Sequence, residues 1–547
     1  MTNSNVGILD QPFDLIVIGA GINGTGIARD AALRGLRVLL LDKTDIAAGT
    51  TSWSSRLIHG GLRYLEHAEV GLVRESLRER ERLLRIAPHL VRPLPLTIPL
   101  YEHHRRGPLL IRAGMIAYDV LSWDKSLPRH AMMSREQALR GLPGLNPQGL
   151  RGAARYYDAQ VEFPERIAVE NALDALAHGA LVLPKARVDR LLVEAGVVRG
   201  VEFVDDGSGA RHAARATVTI NVSGPWVDHV LADLGMAERP PPLIGGTKGS
   251  HIVVAPFANA PTDALYIEAK EDSRPFFIIP WNGLYLIGTT DVRYRGNPDA
   301  VAPSEDEIAY LLRETNQVLP DASLDRGDVL YAYAGIRPLP NQPADSEARI
   351  SRRHMVHDHA PRVEGLLSIV GGKLTTFREL AEQAVEVVFT KLGRRAPASR
   401  TAVMPLPGGV RCFPAFAERF RASAPSWLDA AAVDELVRIY GIRARDVVAL
   451  AEQAPDLRQR LSPTNPLIGA ALIFAFRSER ATTLVDALLR RTMAGYGPDV
   501  GLEALPAAAQ LCQTHLGWTK AGADAEVERY RQEMERFFPQ ASRTLGI

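Results

Sequence analysis

The stretch that decides the fold reads Asp14-Leu-Ile-Val-Ile-Gly19-Ala-Gly21-Ile-Asn-Gly24-Thr-Gly-Ile-Ala28. An apolar strand pattern runs into three spaced glycines and then into a helical pattern, which is typical of a unit that binds a dinucleotide. Gly19 allows a tight turn, Gly21 lets the backbone approach a diphosphate, and Gly24 lets the helix pack close to the strand. The helix N-terminus then presents unpaired N–H groups and a positive dipole end to that diphosphate.

The residues that follow complete this unit. A second strand pattern at 37–41 ends at Asp42, where a carboxylate can accept a hydrogen bond from a ribose hydroxyl. The order strand, turn, helix, strand predicts a right-handed parallel unit. An acid at this position argues against NADP. The hydroxyl-rich stretch 48–55 is compatible with the ribityl chain of FAD and with an ordinary polar loop, so the residues alone leave FAD and NAD open.

Length and composition set broad limits. The chain has 547 residues, more than one hydrophobic core usually organises, so two or more domains are expected. A formal net charge of +1 gives no reason to expect nucleic acid as a partner. Two cysteines, Cys412 and Cys512, make neither a disulfide framework nor a Cys-x-x-Cys metal site, and no metal is expected. Without a signal-peptide pattern or an apolar run of roughly 20 residues, a cytoplasmic location is expected.

Periodicity divides the rest of the chain into further elements. Residues 56–86 are expected to be mostly helical, because Arg and Glu recur there at helical spacing. The apolar runs predict strands at 217–221, 251–254, 276–280, 284–288 and 366–370. After a break rich in proline and glycine at 400–409, the pattern predicts helices at 428–451, 470–493, 502–516 and 523–537.

A specific resemblance begins at residue 54. Residues 54–67, Ser-Ser-Arg-Leu-Ile-His-Gly-Gly-Leu-Arg-Tyr-Leu-Glu-His, resemble the signature of respiratory, FAD-dependent glycerol-3-phosphate dehydrogenases. The segments that agree with the same family are 248–254, 287–292, 335–339 and 371–376. Residues 477–481 and 486–492 resemble the family's helical cap domain. The resemblance covers most of the chain, from residue 14 to about 495, and implies FAD as the cofactor.

This resemblance implies a reaction and an architecture. sn-Glycerol 3-phosphate would be oxidised to dihydroxyacetone phosphate by hydride transfer from C2 to FAD N5, with ubiquinone or menaquinone as the next acceptor. The fold would be α/β, with a doubly wound FAD-binding domain, an inserted antiparallel-sheet substrate domain and a C-terminal all-α cap domain. We assign the FAD-binding domain to 12–91, 151–238 and 334–399, the substrate domain to 92–150 and 239–333, and the helical domain to 400–547. A homodimer is expected.

Three residues are candidates for catalysis. Oxidation of a secondary alcohol needs a proton acceptor, a positive charge near the developing alkoxide and a clamp for the phosphate. His59 is expected to act as the base or to orient the C2 hydroxyl, since an ordinary histidine pKa of about 6.5 suits proton transfer at neutral pH. The family's arginine that matches Arg337 lies near the flavin and the substrate hydroxyl. Lys373, in a glycine turn between a strand and a helix, is expected to point at the substrate.

Arg63 is a candidate for the phosphate clamp. It lies four residues after His59, and thus on the same face if this stretch is helical. Its guanidinium suits a bidentate contact with a phosphate. A surface salt bridge with Glu66 or Glu69 is the alternative.

The remaining candidate substrate ligands carry alternatives of their own. Arg352 is expected to be the second phosphate ligand after Arg63, and the adjacent Arg353 is the other choice. Tyr64 either donates its hydroxyl to the substrate or packs in the core. An amine or amino-acid substrate would not need this set of cations, so an amine oxidase is the weaker interpretation.

The residues expected to contact FAD come from several separate stretches. They are Gly19, Gly21, Asn23, Gly24, Asp42, Thr51, Ser52, Ser55, His59, Val188, Ser223, Gly224, Arg337, Gly372, Lys373, Leu374 and Thr375. For Val188 and Ser223, ordinary packing at a strand end is the alternative. The sequence departs from the family at Asp42, where Glu is common, and at Trp53, where a small residue is usual.

One segment is a candidate for membrane contact at the inner face of the cell membrane. The basic stretch 103–106, His-His-Arg-Arg, precedes the apolar stretch 109–118, which only Arg112 interrupts. A basic patch beside an apolar helix suits the membrane interface. A buried helix of the substrate domain is the alternative.

Molecular oxygen as the electron acceptor, with hydrogen peroxide as the product, is the alternative to a quinone.

Overall fold

The computed structural model describes residues 7–67, 69–232, 241–342 and 353–538. Within them the chain forms two large mixed sheets, helices that cover these sheets, and a C-terminal group of helices. The strands are β1 Phe13–Ile18, β2 Val38–Leu41, β3 Leu57–Ile58, β4 Val91–Tyr101, β5 Ala131–Ser134, β6 Leu150–Val161, β7 Leu181–Leu183, β8 Ala186–Glu194, β9 Val197–Asp205, β10 Arg211–Asn221, β11 Thr247–Val254, β12 Ala264–Glu268, β13 Pro275–Trp281, β14 Leu284–Gly288, β15 Val292–Arg293, β16 Val329–Arg337, β17 Met355–Asp358 and β18 Leu366–Val370.

The α-helices alternate with these strands and then continue alone. They are α1 Ile22–Leu33, α2 Val70–Ile86, α3 Pro108–Leu121, α4 Arg135–Gly141, α5 Pro164–Ala177, α6 Val227–Leu231, α7 Glu305–Val318, α8 Phe377–Lys391, α9 Phe413–Ala422, α10 Ala430–Tyr440, α11 Ala444–Ala451, α12 Gly469–Ser478, α13 Leu484–Arg490, α14 Leu505–Leu516 and α15 Lys520–Met534. In the part of the chain that the structure describes, no helix is both long and apolar enough to cross a membrane.

The first sheet has a parallel centre. Its order is β17-β18-β10-β1-β2-β7, with β17 antiparallel at one edge and the β8–β9 hairpin extending β10. Helices α1, α5 and α8 pack together beside it. Because both faces of a parallel sheet are covered, its strands are continuous apolar runs, as in β2, whose four residues are all buried.

The second sheet is antiparallel except for the pairing of β12 with β4. Its order is β15-β11-β14-β13-β12-β4-β6-β3, with β16 on β11 and β5 on β6. Strand β6 pairs with β4 over its whole length, from Val161 opposite Val91 to Leu150 opposite Tyr101. The two sheets and the C-terminal helices confirm the expected fold class. The division into six segments stays a prediction, and β6 lies in the second sheet although that division places residues after 150 with the first.

Residues 56–67 do not form the helix that the charge spacing predicts over 56–86. The chain forms strand β3, an irregular turn and a 3-10 helix at Leu62–His67 before α2 begins. Arg56 and Gly61 have φ of +58° and +76°, which an α-helix excludes. A Cβ on Gly60 would lie 2.4 Å from the Tyr118 hydroxyl. His59 and Arg63 therefore do not share a face of one helix.

Two of the predicted C-terminal helices, 428–451 and 470–493, are each divided into shorter helices. The stretch 428–451 divides at Gly441, which has a φ of +56° and whose added Cβ would lie 2.0 Å from the carbonyl oxygen of Gly408. The stretch 470–493 divides into α12 and α13, because Arg480 has a φ of +62°. Thr483 then starts α13 with a capping box to Asp486.

Candidate active site

The carboxyl ends of four parallel strands open onto one cavity. Gly19 follows β1, Asp42 follows β2, Val222 follows β10 and Gly371 follows β18. All four line a cavity of about 610 Å³. Ligands of doubly wound sheets bind at this edge, and the volume falls within the roughly 300–1,000 Å³ of small-molecule sites.

The glycine turn has the geometry that its spacing predicts. The Gly19 N–H donates to the carbonyl of Leu41 at 2.7 Å, and its φ is +107°. A Cβ on Gly24 would lie 1.8 Å from the carbonyl oxygen of Gly19, so only glycine lets α1 approach β1 this closely. The helix begins at Ile22, whose N–H donates to Thr51 Oγ1 at 3.0 Å. The turn and the polar loop are thereby joined where a diphosphate would bind.

Asp42 is held in place by backbone donors. Its Oδ2 accepts from the N–H of Ala20 at 2.7 Å, and its Oδ1 accepts from that of Thr44 at 2.8 Å. Burial raises the pKa of Asp42, and the two N–H donors oppose that rise. Each carboxylate oxygen keeps a second lone pair. Asp42 is thus able to accept hydrogen bonds from the hydroxyls of a ribose.

Three polar atoms along the cavity fit a large polar ligand. Within the residues that the structure describes, Asn23 Oδ1, Trp226 Nε1 and His251 Nδ1 are buried without a hydrogen-bond partner. All three residues line the cavity. An unsatisfied buried group costs about 1–3 kcal/mol. A cofactor that offers both donors and acceptors would remove that cost, which is what FAD provides along its length.

Arg337 is fixed at the end of β16 by residues from another part of the second sheet. Its guanidinium binds Asp291 Oδ1 at 3.0 Å and Thr289 Oγ1 at 3.1 Å. It also donates to the carbonyl oxygen of Thr290 at 3.2 Å. The segments 287–292 and 335–339, which resemble the family separately in sequence, therefore meet in space. The side chain places a positive charge at the wall of the cavity.

Gly249 leaves room for this arginine, and its replacement is a test of that role. A Cβ at this position would lie 2.4 Å from both Arg337 Nη2 and Thr289 Oγ1. We expect Gly249→Ala to displace the guanidinium and to lower the rate of FAD reduction by substrate by about tenfold, the effect of about 1.4 kcal/mol on a barrier. Stopped-flow absorbance measures that rate.

The control for Gly249→Ala is Gly71→Ala on α2, where an added Cβ meets nothing within 4 Å. Both variants should keep an unfolding temperature within a few degrees of the unaltered protein. Equal rates of FAD reduction in the two variants would contradict the role of Gly249.

His59, Tyr64 and Lys373 come together at the turn after β18. The His59 N–H donates to Thr375 Oγ1 at 3.1 Å, and that hydroxyl lies 3.3 Å from the His59 carbonyl oxygen. The Lys373 ammonium lies 3.8 Å from the centroid of the Tyr64 ring. Lys373 Nζ also lies 3.4 Å from Ser76 Oγ. A candidate base, a hydroxyl and a cation thus face the same cavity.

His251 belongs to the site, although the sequence analysis assigned it no role. Its Nε2 lies 2.9 Å from Ser55 Oγ, and its ring stacks on Tyr333 at 5.0 Å between centroids. Burial, together with the charges of Arg337 and Arg56, lowers the pKa of His251 to about 3. The imidazole is therefore neutral at pH 7. The signal that could have identified His251 is its place in the segment 248–254, which resembles the family.

Most of the predicted ligands line the cavity, while their roles toward FAD and substrate stay predictions. Those that line it are Gly19, Gly21, Asn23, Asp42, Thr51, Ser55, His59, Tyr64, Val188, Ser223, Gly224, Arg337, Gly372, Lys373, Leu374 and Thr375. Gly24 packs against Gly19 instead, and Ser52 Oγ donates to the Ala47 carbonyl at 2.7 Å and so stabilises the loop.

Two predicted phosphate ligands lie outside the part of the chain that the structure describes. They are the side chain of Arg63 and the whole of Arg352. Arg353, the alternative to Arg352, is exposed. Sequence reasoning missed several residues of the cavity wall, among them Lys43, Lys185, Trp226, Arg490, Arg529 and Arg536.

Comparisons with known proteins identify the family of the chain. Residues 14–378 match the family model described as FAD dependent oxidoreductase, and residues 399–523 match the C-terminal domain of alpha-glycerophosphate oxidase. The glycerol-3-phosphate dehydrogenase of Synechocystis sp. is 47% identical over 539 residues, 97% of each chain. The aerobic glycerol-3-phosphate dehydrogenase of Escherichia coli is 39% identical over 487 residues, 88% of this chain and 94% of that one.

A solved structure is similar over nearly the whole chain. The glycerol-3-phosphate dehydrogenase from Bacillus halodurans complexed with FAD superposes with a TM-score of 0.79 at 25% identity. The match covers 98% of this chain and 97% of that chain. FAD is accordingly the cofactor of this chain. These matches, together with the glycine turn and the converging side chains, show that the chain belongs to the family of FAD-dependent glycerol-3-phosphate dehydrogenases.

Proposed function

We propose that this protein oxidises sn-glycerol 3-phosphate to dihydroxyacetone phosphate and passes the electrons to a membrane quinone. One observation carries the substrate assignment: the Lys373 ammonium, the Tyr64 ring and the His59 segment meet at one wall of the FAD cavity. A cation suits the phosphate, and an imidazole suits the hydroxyl proton. The family names of the relatives support the same substrate.

Each side chain has a task in this proposal. FAD, when bound, supplies the acceptor for the hydride that leaves C2. Lys373 binds the phosphate group and so fixes the position of C2. An imidazole nitrogen of His59 takes the proton of the C2 hydroxyl. Arg337, oriented by Asp291 and Thr289, stabilises the negative charge that develops on that oxygen.

Helix α3 supports the proposed membrane contact. Ile111, Met115 and Tyr118 on one face are buried, so this face packs against the protein. The other face presents apolar side chains to solvent, with exposed fractions of 83% at Leu109 and 79% at Trp123. The exposed apolar residues of this helix and its C-terminal end are Leu109, Leu110, Ile116, Val120 and Trp123. Such a patch is typical of a membrane or protein contact.

The charges around α3 divide into two groups. Arg106 forms a salt bridge with Glu268 at 2.6 Å, so its charge is already partly neutralised. Arg105 and Arg112 are exposed beside Leu109. We propose these two arginines, rather than Arg106, for contact with anionic headgroups at the inner face of the membrane.

The double variant Leu109→Asp/Leu110→Asp tests this contact. Each buried leucine contributes about 1.5–3 kcal/mol to partition out of water, so binding to vesicles of anionic phospholipid should fall by more than about tenfold. Cosedimentation measures the bound fraction, and activity with a soluble dye should stay unchanged. Val403→Asp is the matched control, since Val403 is 79% exposed outside this patch. Vesicle binding that survives the double variant would contradict the contact.

Steady-state assays test substrate and acceptor together. We expect turnover with sn-glycerol 3-phosphate and none with glycerol or amino acids, because both lack the phosphate that Lys373 binds. A soluble ubiquinone or menaquinone analogue should accept electrons faster than oxygen does. Peroxide produced at the rate of turnover would instead support an oxidase. The expected homodimer stays a prediction. The molar mass of the protein in solution, measured without detergent, tests it.

A further inference from the structure

The C-terminal helical domain reaches the FAD cavity itself. Arg490, at the end of α13, lines the cavity. Arg529 and Glu533 on α15, and Arg536 in the turn after it, line the same cavity. These residues come from beyond residue 400, whereas the glycine turn and Asp42 come from the first 50 residues. The wall of the cavity is therefore built by both ends of the chain.

A buried ion network joins this domain to the cofactor loop, which we define as residues 43–55. Asp45 in the loop is fully buried. Its Oδ2 accepts from Arg490 Nε at 2.6 Å, and its Oδ1 accepts from Arg491 Nη2 at 2.7 Å. Arg490 also binds Asp486 at 2.7 Å, and Asp486 lies 3.2 Å from the ammonium of Lys185 in the cavity wall.

A second contact joins the two parts at Trp53. The Arg536 guanidinium lies 4.7 Å from the centroid of the Trp53 ring, and the Phe537 ring meets the same ring edge-on at 5.5 Å. Trp53 is 6% exposed. The C-terminal domain thus accommodates tryptophan at a position of the cofactor loop where a small residue is usual. The Trp53 ring in turn gives that domain an aromatic surface to bind.

The opposite face of the cofactor loop is directed at the cofactor site. Residues 48–51 line the cavity. Thr51 accepts the hydrogen bond from the N–H of Ile22, at the start of α1. The Ala47 N–H donates to the carbonyl of Ala20 at 3.0 Å. One short loop therefore contacts the diphosphate turn on one side and the C-terminal domain on the other.

We infer that the C-terminal helical domain is part of the FAD site. By holding the cofactor loop at Asp45 and Trp53, this domain raises the affinity of the protein for FAD. Bound FAD in turn stabilises the docking of the domain, because a coupling between two binding events is the same in both directions. This inference depends on FAD as the cofactor and does not depend on which alcohol the enzyme oxidises.

The variant Asp45→Asn tests the inference in the full-length protein. After removal of FAD, reconstitution followed by flavin fluorescence gives the dissociation constant. We expect this constant to rise about tenfold or more, within the usual range of coupling between sites. Asp263→Asn is the matched control. Asp263 is also buried, at 7% exposed, and binds Arg155 and Thr97 at 2.9 Å in the second sheet. The control should leave the constant for FAD unchanged even if it lowers the unfolding temperature.

A milder variant and a second readout cover the case in which Asp45→Asn does not fold. Arg536→Gln removes the cation over Trp53 at a partly exposed position, and it should also raise the dissociation constant for FAD. In the unaltered protein, saturating FAD should slow tryptic cleavage within residues 400–538. The inference is overturned if either variant that folds binds FAD as tightly as the Asp263→Asn control, or if FAD leaves the cleavage rate unchanged.

Discussion

Replacement of His59 by asparagine should slow the reduction of bound FAD by sn-glycerol 3-phosphate by about 10²–10⁴-fold, the usual contribution of a positioned general base. The contact of His59 with Thr375 uses backbone atoms, so the local structure should survive the change. FAD content and the unfolding temperature should therefore stay close to those of the unaltered protein. Anaerobic stopped-flow absorbance measures the rate.

Two further measurements separate a base from a structural histidine. Added imidazole should restore part of the rate in His59→Asn, which a purely structural defect would not allow. His212→Asn on β10, which changes a histidine that does not line the cavity, should leave the rate unaltered. A loss of less than about tenfold in His59→Asn would assign the proton transfer to another group.

Replacement of Arg337 by glutamine should lower the same rate by about 10²–10³-fold, as expected for the loss of a donor to a developing oxyanion. The effect should fall on the limiting rate more than on the apparent substrate affinity, because the proposed phosphate ligand Lys373 is unchanged. Glutamine also leaves Asp291 without the cation that it binds at 3.0 Å. Saturation curves of the reduction rate against substrate concentration distinguish the two parameters.

The controls for Arg337 use its partner and a distant arginine. Asp291→Asn keeps the positive charge but loosens its orientation, so it should cause a smaller loss than Arg337→Gln. Arg326→Gln, at an exposed pair with Glu305 before β16, should have no effect. An unchanged limiting rate in Arg337→Gln, with FAD still bound, would remove this residue from the catalytic step.

The features that the sequence predicts correctly are local. The glycine turn needs only neighbouring residues, because steric limits on φ and the close approach of α1 to β1 select glycine at Gly19 and Gly24. The strands β14 and β18 have the predicted bounds, since each is a short apolar run between turns. Asp42 follows β2, as predicted, for the same reason. A feature that depends only on neighbouring residues can be predicted from the sequence.

The features that the sequence does not predict depend on distant contacts. The predicted helix is absent over 56–67, because Gly60 packs against Tyr118, which lies 58 residues away in the sequence. The partners of Arg337 come from the turn after β14, and no periodicity connects them with Arg337. His251 is neutral because the fold buries it beside Arg56 and Arg337. The contribution of Arg490 and Arg536 to the cavity needs the two ends of the chain to meet.

The most direct test of the account is an anaerobic titration of the purified holoprotein with sn-glycerol 3-phosphate, followed by the visible absorbance of oxidised FAD. This substrate should bleach the absorbance, and glycerol and amino acids should not. A yellow protein that stays oxidised in the presence of sn-glycerol 3-phosphate would contradict the assignment of the substrate.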